Sequence, residues 1–269
     1  MDGQAVKRTL ASLVPSFLRA GSRPRAVVSV MRHLLVDYGW YRSLKEQACV
    51  DRSGQPIPWF TYPCIDYLRQ LDCREKTVFE WGAGFSTMFW SDWAKSVTSI
   101  ETDPIWREKV VRAAGSNATV LMSGTGIPDY CGAIEKFDGF DIIVIDGIGE
   151  SRFACAEIAP AKLNRGGMII LDNSDLWPKT AAALKRANLI QVDFAGFAPM
   201  SNHCTTTSIF FSREFDFPSR FDEQPRRSVG QTMQPWLVED GRLAEPGLPA
   251  IAAHGRVRYG GGDCPQSAE

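Results

Sequence analysis

Residues 77–87 read Thr77-Val-Phe-Glu-Trp-Gly-Ala-Gly-Phe-Ser-Thr87. An apolar run ends around Glu80, turns through Gly82, Ala83 and Gly84, and resumes at Ser86 with residues that open helices. Glycine tolerates positive φ and lacks the Cβ that would hold a ligand off the backbone, and the first N–H groups of a helix have no partner inside it. The stretch therefore predicts a strand, a ligand-binding turn and a helix, with Gly82, Ala83, Gly84, Ser86 and Thr87 around the ligand.

A second acid sharpens this reading. Ser96-Val-Thr-Ser-Ile-Glu101 reads as the next strand, and its terminal carboxylate follows the glycine turn by about 20 residues, the spacing at which a second-strand acid reaches ribose hydroxyls. Two nucleotide-type cofactors suit such a turn, a dinucleotide and S-adenosylmethionine. A carboxylate at Glu80, two residues before the first glycine, would repel a pyrophosphate and attract the cationic methionyl end of S-adenosylmethionine. Thr87 stands where the dinucleotide fingerprint has its last glycine or alanine. Both residues favour the sulfonium cofactor.

With Glu80, Gly82 and Gly84 as first motif and Glu101 as second, the chain resembles the class I S-adenosylmethionine-dependent methyltransferases over about residues 55–212. The resemblance implies an α/β fold: a doubly wound, mostly parallel, seven-stranded Rossmann-like sheet. Strands are expected near 77–81, 96–101, 118–122, 141–146, 168–172, 189–194 and 206–212, and helices near 86–95, 104–115, 151–164 and 178–187. Arg165-Gly166-Gly167 is expected to end a helix and launch the fifth strand, and the last two strands to pair antiparallel. Adenine is expected at the end of the third strand, near Met122, Ser123 and Gly124, against Trp81 or Ile127.

Composition sets the surroundings. A chain of 269 residues, 44% hydrophobic, with a formal charge of −1, suits one domain with extensions and implies no global nucleic-acid binding. No run has the roughly 18 apolar residues of a membrane span, which points to a cytoplasmic protein. Seven cysteines, scattered without a C-x-x-C pair, read as reduced thiols, with Cys155 as packing. Residues 1–74 are expected to form an N-terminal helical cap or lid, 75–214 the S-adenosylmethionine-binding domain, and 215–269 a loosely ordered tail in which Gln234-Pro-Trp-Leu-Val is a candidate docked patch. Residues 1–45 carry eight basic and two acidic residues. Such a segment suits a solvated cap face, or peripheral contact with an anionic membrane surface or a phosphorylated substrate. Trp40, Trp59 and Tyr62 supply flat surfaces either to a lid or to the seam between cap and sheet.

The catalytic candidates close two further strands, in Ile145-Asp146-Gly147 and Leu171-Asp172-Asn173. Ends of adjacent parallel strands place such acids together at the sheet's carboxyl edge. Asp146 is also a candidate cofactor contact. The catechol-type O-methyltransferases hold one divalent cation with an acid after strand four and an Asp-Asn pair after strand five. By that resemblance Asp146, Asp172 and Asn173 would bind a cation such as Mg²⁺ that activates an acceptor hydroxyl. The family's lysine base is missing from Asp146-Gly-Ile-Gly-Glu-Ser-Arg152, which leaves Asp146, Glu150 and Arg152 as catalytic candidates, with the loop histidine His203 as a further candidate base. Asn173-Ser174-Asp175 is not the Asn-Pro-Pro-Tyr type motif of enzymes that methylate amino groups. The expected activity is methylation of a hydroxyl on a small molecule or sugar. A different sulfonium-cofactor transfer, noncatalytic cofactor binding and NAD-dependent oxidation stay as alternatives.

Overall fold

The computed structural model describes residues 23–222, 224–226 and 228–229. Seven strands form one sheet: β1 (Thr77–Trp81), β2 (Ser96–Glu101), β3 (Ala118–Met122), β4 (Phe140–Ile145), β5 (Leu163–Leu171), β6 (Ile190–Phe197) and β7 (Cys204–Phe211). Their order is β3-β2-β1-β4-β5-β7-β6. The first five run parallel, whereas β7 is antiparallel to both β5 and β6. The winding reverses between β1 and β4, and the carboxyl edge at such a reversal is where this architecture opens a crevice. This is the doubly wound, seven-stranded sheet implied by the sequence.

Period-two alternation divides the core between the two faces. Val78, Ile142, Val144, Met168 and Ile170 meet α3 (Tyr62–Leu68) and α4 (Phe85–Trp93) on one side. Phe79, Trp81, Ile143, Ile145, Ile169 and Leu171 meet α6 (Ile127–Cys131), α7 (Arg152–Ile158) and α8 (Pro178–Arg186) on the other. Helix α5 (Pro104–Ala113) covers β2 and β3, starting after Asp103, whose carboxylate accepts hydrogen bonds from the amides of Ile105 and Trp106. The helix expected over 151–164 ends at Ile158 and passes through a 3-10 turn at Ala159–Lys162. Strand β5 then begins at Leu163, so Arg165-Gly166-Gly167 lies inside it rather than before it. Two glycines make this possible: Gly166 has φ +79°, and a Cβ on Gly167 would sit 2.5 Å from the Asp141 carbonyl oxygen.

Helix α1 (Arg23–Arg32) leads through one π-turn, His33–Asp37, into α2 (Trp40–Glu46). The following segment docks on the antiparallel end of the sheet through α3, where Thr61 Oγ1 donates to the Phe194 carbonyl at 2.8 Å. Past β7, Phe215 and Phe217 pack on the core, and Arg220 lies 3.5 Å from the Trp93 ring centroid. Gln234-Pro-Trp-Leu-Val and the first 22 residues lie outside the described residues. No described helix is long and apolar enough to cross a membrane.

Candidate active site

The β1–α4 turn is built around a buried carboxylate. Glu80 takes an apolar face position and is fully buried, and its Oε2 accepts from Thr87 Oγ1 at 2.7 Å and from Ser99 Oγ at 2.8 Å. The Thr87 hydroxyl in turn accepts from the Gly84 N–H at 3.0 Å, so one side chain ties the turn, the helix start and the acid together. Burial pushes the Glu80 carboxyl up to about 7, against the lowering pull of the Ser86, Thr87 and Ser99 hydroxyls. Glu80 Oε1 has no partner among the described residues. Ser86, at the start of α4, is almost fully buried beside them.

The two glycines serve different ends. Gly82 has φ +99°, and a Cβ there would lie 2.9 Å from the Asp146 carbonyl oxygen, so both conformation and the approach of β4 demand glycine. Gly84 has φ 176°, ordinary extended backbone. A Cβ there would meet nothing closer than the Trp106 indole, at an ordinary contact distance of 3.9 Å. Of the two properties that glycine offers, Gly82 uses the positive φ and Gly84 the missing Cβ.

Glu101 closes β2 half-buried. Its Oε1 accepts from the Thr102 and Asp103 amides at 2.7 and 2.9 Å, and its Oε2 from the Ala83 amide at 3.3 Å. Ala83 is also held by Trp106, whose Nε1 donates to the Ala83 carbonyl at 2.7 Å. Sequence reasoning missed Trp106, although its place in the first turn after Asp103 was a usable signal. Beyond β3, Ser123, Gly124, Met122, Ile100 and Asp129 line a cavity of about 360 Å³. Trp81 does not reach it: the ring is fully buried edge-on to Phe79, and Nε1 donates to the Tyr130 carbonyl.

On the other side of the switch point, Asp146 and Asp172 follow the paired residues Ile145 and Leu171. Arg152, nearly buried at the start of α7, donates from Nη2 to Asp146 Oδ1 at 2.9 Å, from Nη1 to the Asp172 carbonyl at 2.6 Å and from Nε to the Gly147 carbonyl at 3.3 Å. Burial raises the Asp146 carboxyl and outweighs the opposing pull of Arg152, although a quarter of the side chain stays exposed. Asp172 is buried, and desolvation together with the charge of Asp146 holds it well above the usual carboxylate range. Its Oδ1 accepts from Thr207 Oγ1 at 2.6 Å, and Thr207 Oγ1 accepts from the Thr61 amide at 3.0 Å. The neighbouring β6–β7 loop is gripped by two indoles: Trp40 Nε1 donates to the Ser201 carbonyl at 2.8 Å and Trp59 Nε1 to Ser201 Oγ at 3.3 Å. Glu150 is exposed in the 3-10 turn Gly149–Ser151, and His203 is exposed, with Asn202 alone among the described residues bonded to its ring.

The oxygen set expected to hold a divalent cation does not fit one. Asp146 already faces a guanidinium, Asp172 Oδ1 takes a hydroxyl proton, and Asn173 turns with φ +51° to donate to Thr205 Oγ1. Among the described residues no three His, Cys, Asp or Glu side chains converge as metal ligands.

No family model matches the chain, and no curated protein matches it. Among solved structures it is similar to precorrin-6y C5,15-methyltransferase from Geobacter metallireducens, at 13% identity over 55% of this chain and 86% of that one, TM-score 0.46. A putative O-methyltransferase from Klebsiella pneumoniae aligns at 15% identity over 77% of this chain and 96% of that one, TM-score 0.44. Spermidine synthase from Thermotoga maritima aligns at 15% over 53% and 56%, TM-score 0.42. The fold assignment rests on the strand order itself.

Proposed function

We propose that this chain is an S-adenosylmethionine-dependent methyltransferase acting on a hydroxyl of a small molecule or sugar. The observation that carries the reading is the β1–α4 turn: Glu80, buried and with one oxygen unpartnered among the described residues, is tied through Thr87 to Gly84, whose missing Cβ leaves room for a ligand. Both features suit S-adenosylmethionine, which supplies an electrophilic methyl on a sulfonium when bound. Glu80 is the counter-charge for its ammonium, and the Gly84 backbone allows close approach. Glu101 keeps lone pairs for ribose hydroxyls while the Thr102, Asp103 and Ala83 amides fix its orientation. Ser123 and Gly124 border the cavity suited to adenine.

The acids at the ends of β4 and β5 then face the acceptor. Carboxyls held above their usual range are suited to take a hydroxyl proton near neutral pH, and Asp146 and Asp172 are the two groups so placed. An oxygen acceptor is favoured because an amine needs alignment and desolvation more than a base.

Calorimetric titration with S-adenosylhomocysteine tests the reading. Micromolar binding is expected, with at least tenfold loss in Glu101→Ala while its circular dichroism and melting stay those of a folded chain. Binding of NADH in place of S-adenosylhomocysteine, or no weakening in Glu101→Ala, would overturn it.

A further inference from the structure

We infer that the Arg152 guanidinium is the resident cation of the Asp146–Asp172 pair, standing in for the divalent ion that such a pair otherwise suggests. The three oxygens it collects come from one carboxylate and two main-chain carbonyls, at the ends of two adjacent strands. Carboxylate and carbonyl oxygens are also the donors that hard divalent cations take. A planar guanidinium satisfies them through three separate N–H groups, with a charge that no accessible pH removes.

Local sequence makes this position possible. Arg152 opens α7, so its long side chain reaches back over the Gly147–Ser151 turn to the strand ends. Gly149 lets the turn lie flat under Trp177, since a Cβ there would meet the indole at 2.8 Å. The same indole lies 5.6 Å from the Arg152 guanidinium carbon and covers it. Only 9% of the Arg152 side chain is exposed, so removing its charge would leave Asp146 beside Asp172 without compensation. The missing lysine after Asp146 agrees with this arrangement: a second cation so near would compete for the same oxygens. Arg152 is a positioning residue here, because each of its three guanidinium nitrogens donates to the protein.

The inference deepens the methyl-transfer reading, on which its catalytic meaning rests, but it is tested without turnover or cofactor. Titration of the full chain with MnCl₂ and MgCl₂ should give no saturable heat, and EDTA should leave the melting temperature unchanged. Arg152→Gln should melt lower than wild type, Arg152→Lys should recover part of the loss, and adding Asp146→Asn to Arg152→Gln should raise the melting temperature above that of Arg152→Gln alone. That rescue separates charge compensation from packing, since a packing role predicts that the two losses add. One Mn²⁺ bound per wild-type chain and lost in Asp146→Asn, or additive losses in the double variant, would overturn the assignment. Should Arg152→Gln fail to fold, the wild-type Mn²⁺ titration and Arg152→Lys decide it. Failure of S-adenosylhomocysteine to bind would strike the methyltransferase reading and leave these measurements intact.

Discussion

The two halves of the carboxyl edge are built in opposite ways. Around β1 and β2 the determinants are short-range: Thr87 reaches Glu80 seven residues back, and Ala83 reaches Glu101 eighteen residues on. Around β5 and β7 they span the chain: Thr61 bonds Thr207 across 146 residues, and Trp40 bonds Ser201 across 161. A nucleotide-shaped cofactor is a constant, so its site can be held by one strand–turn–helix unit. An acceptor differs from enzyme to enzyme, and on the methyl-transfer reading proposed above it would lie beside segments that meet only in the folded chain.

The comparison breaks most visibly at the two glycines. Gly82→Ala combines a left-handed φ with a Cβ against the Asp146 carbonyl, which should cost about 3–4 kcal/mol of stability. Gly84→Ala meets neither obstacle and should stay within about 0.5 kcal/mol of wild type. Its methyl enters the opening beside Trp106, so S-adenosylhomocysteine affinity should fall at least tenfold, about 1.4 kcal/mol. Chemical denaturation and calorimetry on both variants check this. Equal destabilisation of the two, or a Gly84→Ala chain that binds normally, would remove the distinction between a glycine that the fold needs and one that the ligand needs.

Glu80 sharpens the same half through pH. Its carboxyl rises from 4.5 to about 7 on folding, so between these values the folded chain holds a proton that the unfolded chain has released. The contribution of this group to stability is therefore greatest at low pH and falls as pH rises through that window. Glutamine cannot ionise. Moving from pH 4 to pH 8 should therefore improve Glu80→Gln relative to wild type by roughly 3 kcal/mol, since each pKa unit is about 1.4 kcal/mol. Taking the difference between the two pH values cancels any constant change in hydrogen bonding. The same variant should bind S-adenosylhomocysteine at least tenfold more weakly, because an ammonium loses its counter-charge. A flat difference across this range would refute the burial argument, and undiminished binding would remove Glu80 from the cofactor site.

What the sequence disclosed follows from this asymmetry. Strands β1 to β3 lie within the expected spans, because short segments rich in β-branched and large apolar residues are bounded by turn residues on both sides. Strand β5 starts four residues before Gly167, since Gly166 and Gly167 permit a close strand approach that reads, in sequence, as a helix stop. The value of Thr87 was read backwards in part: it spoke against a dinucleotide, yet its positive role is the hydroxyl shared by Gly84 and Glu80. The sequence marks Arg152 as a catalytic candidate, while its partners, the Asp146 carboxylate and two carbonyls, are ones that no spacing rule reveals. Thr61 and Thr207 carry no pattern of their own and become visible only when distant segments are brought together.

Thr207→Val tests whether the long-range half is separable from the short-range one. Valine nearly matches threonine in shape, so the β7 packing should persist while the Thr61 amide loses its acceptor and Asp172 loses a donor. Two buried partners left short predict a loss of about 2 kcal/mol. S-adenosylhomocysteine affinity should stay within twofold, because among the described residues no hydrogen bond joins the β1–α4 turn to this chain of bonds. Methyl transfer, once an acceptor is found, should slow at unchanged cofactor affinity, since Asp172 would no longer be held by the segment that carries Thr61. A fall in cofactor affinity comparable to that of Gly84→Ala would show that the two halves work as one unit, and that the acceptor-side hydrogen bonds help to shape the cofactor turn across β1 and β4.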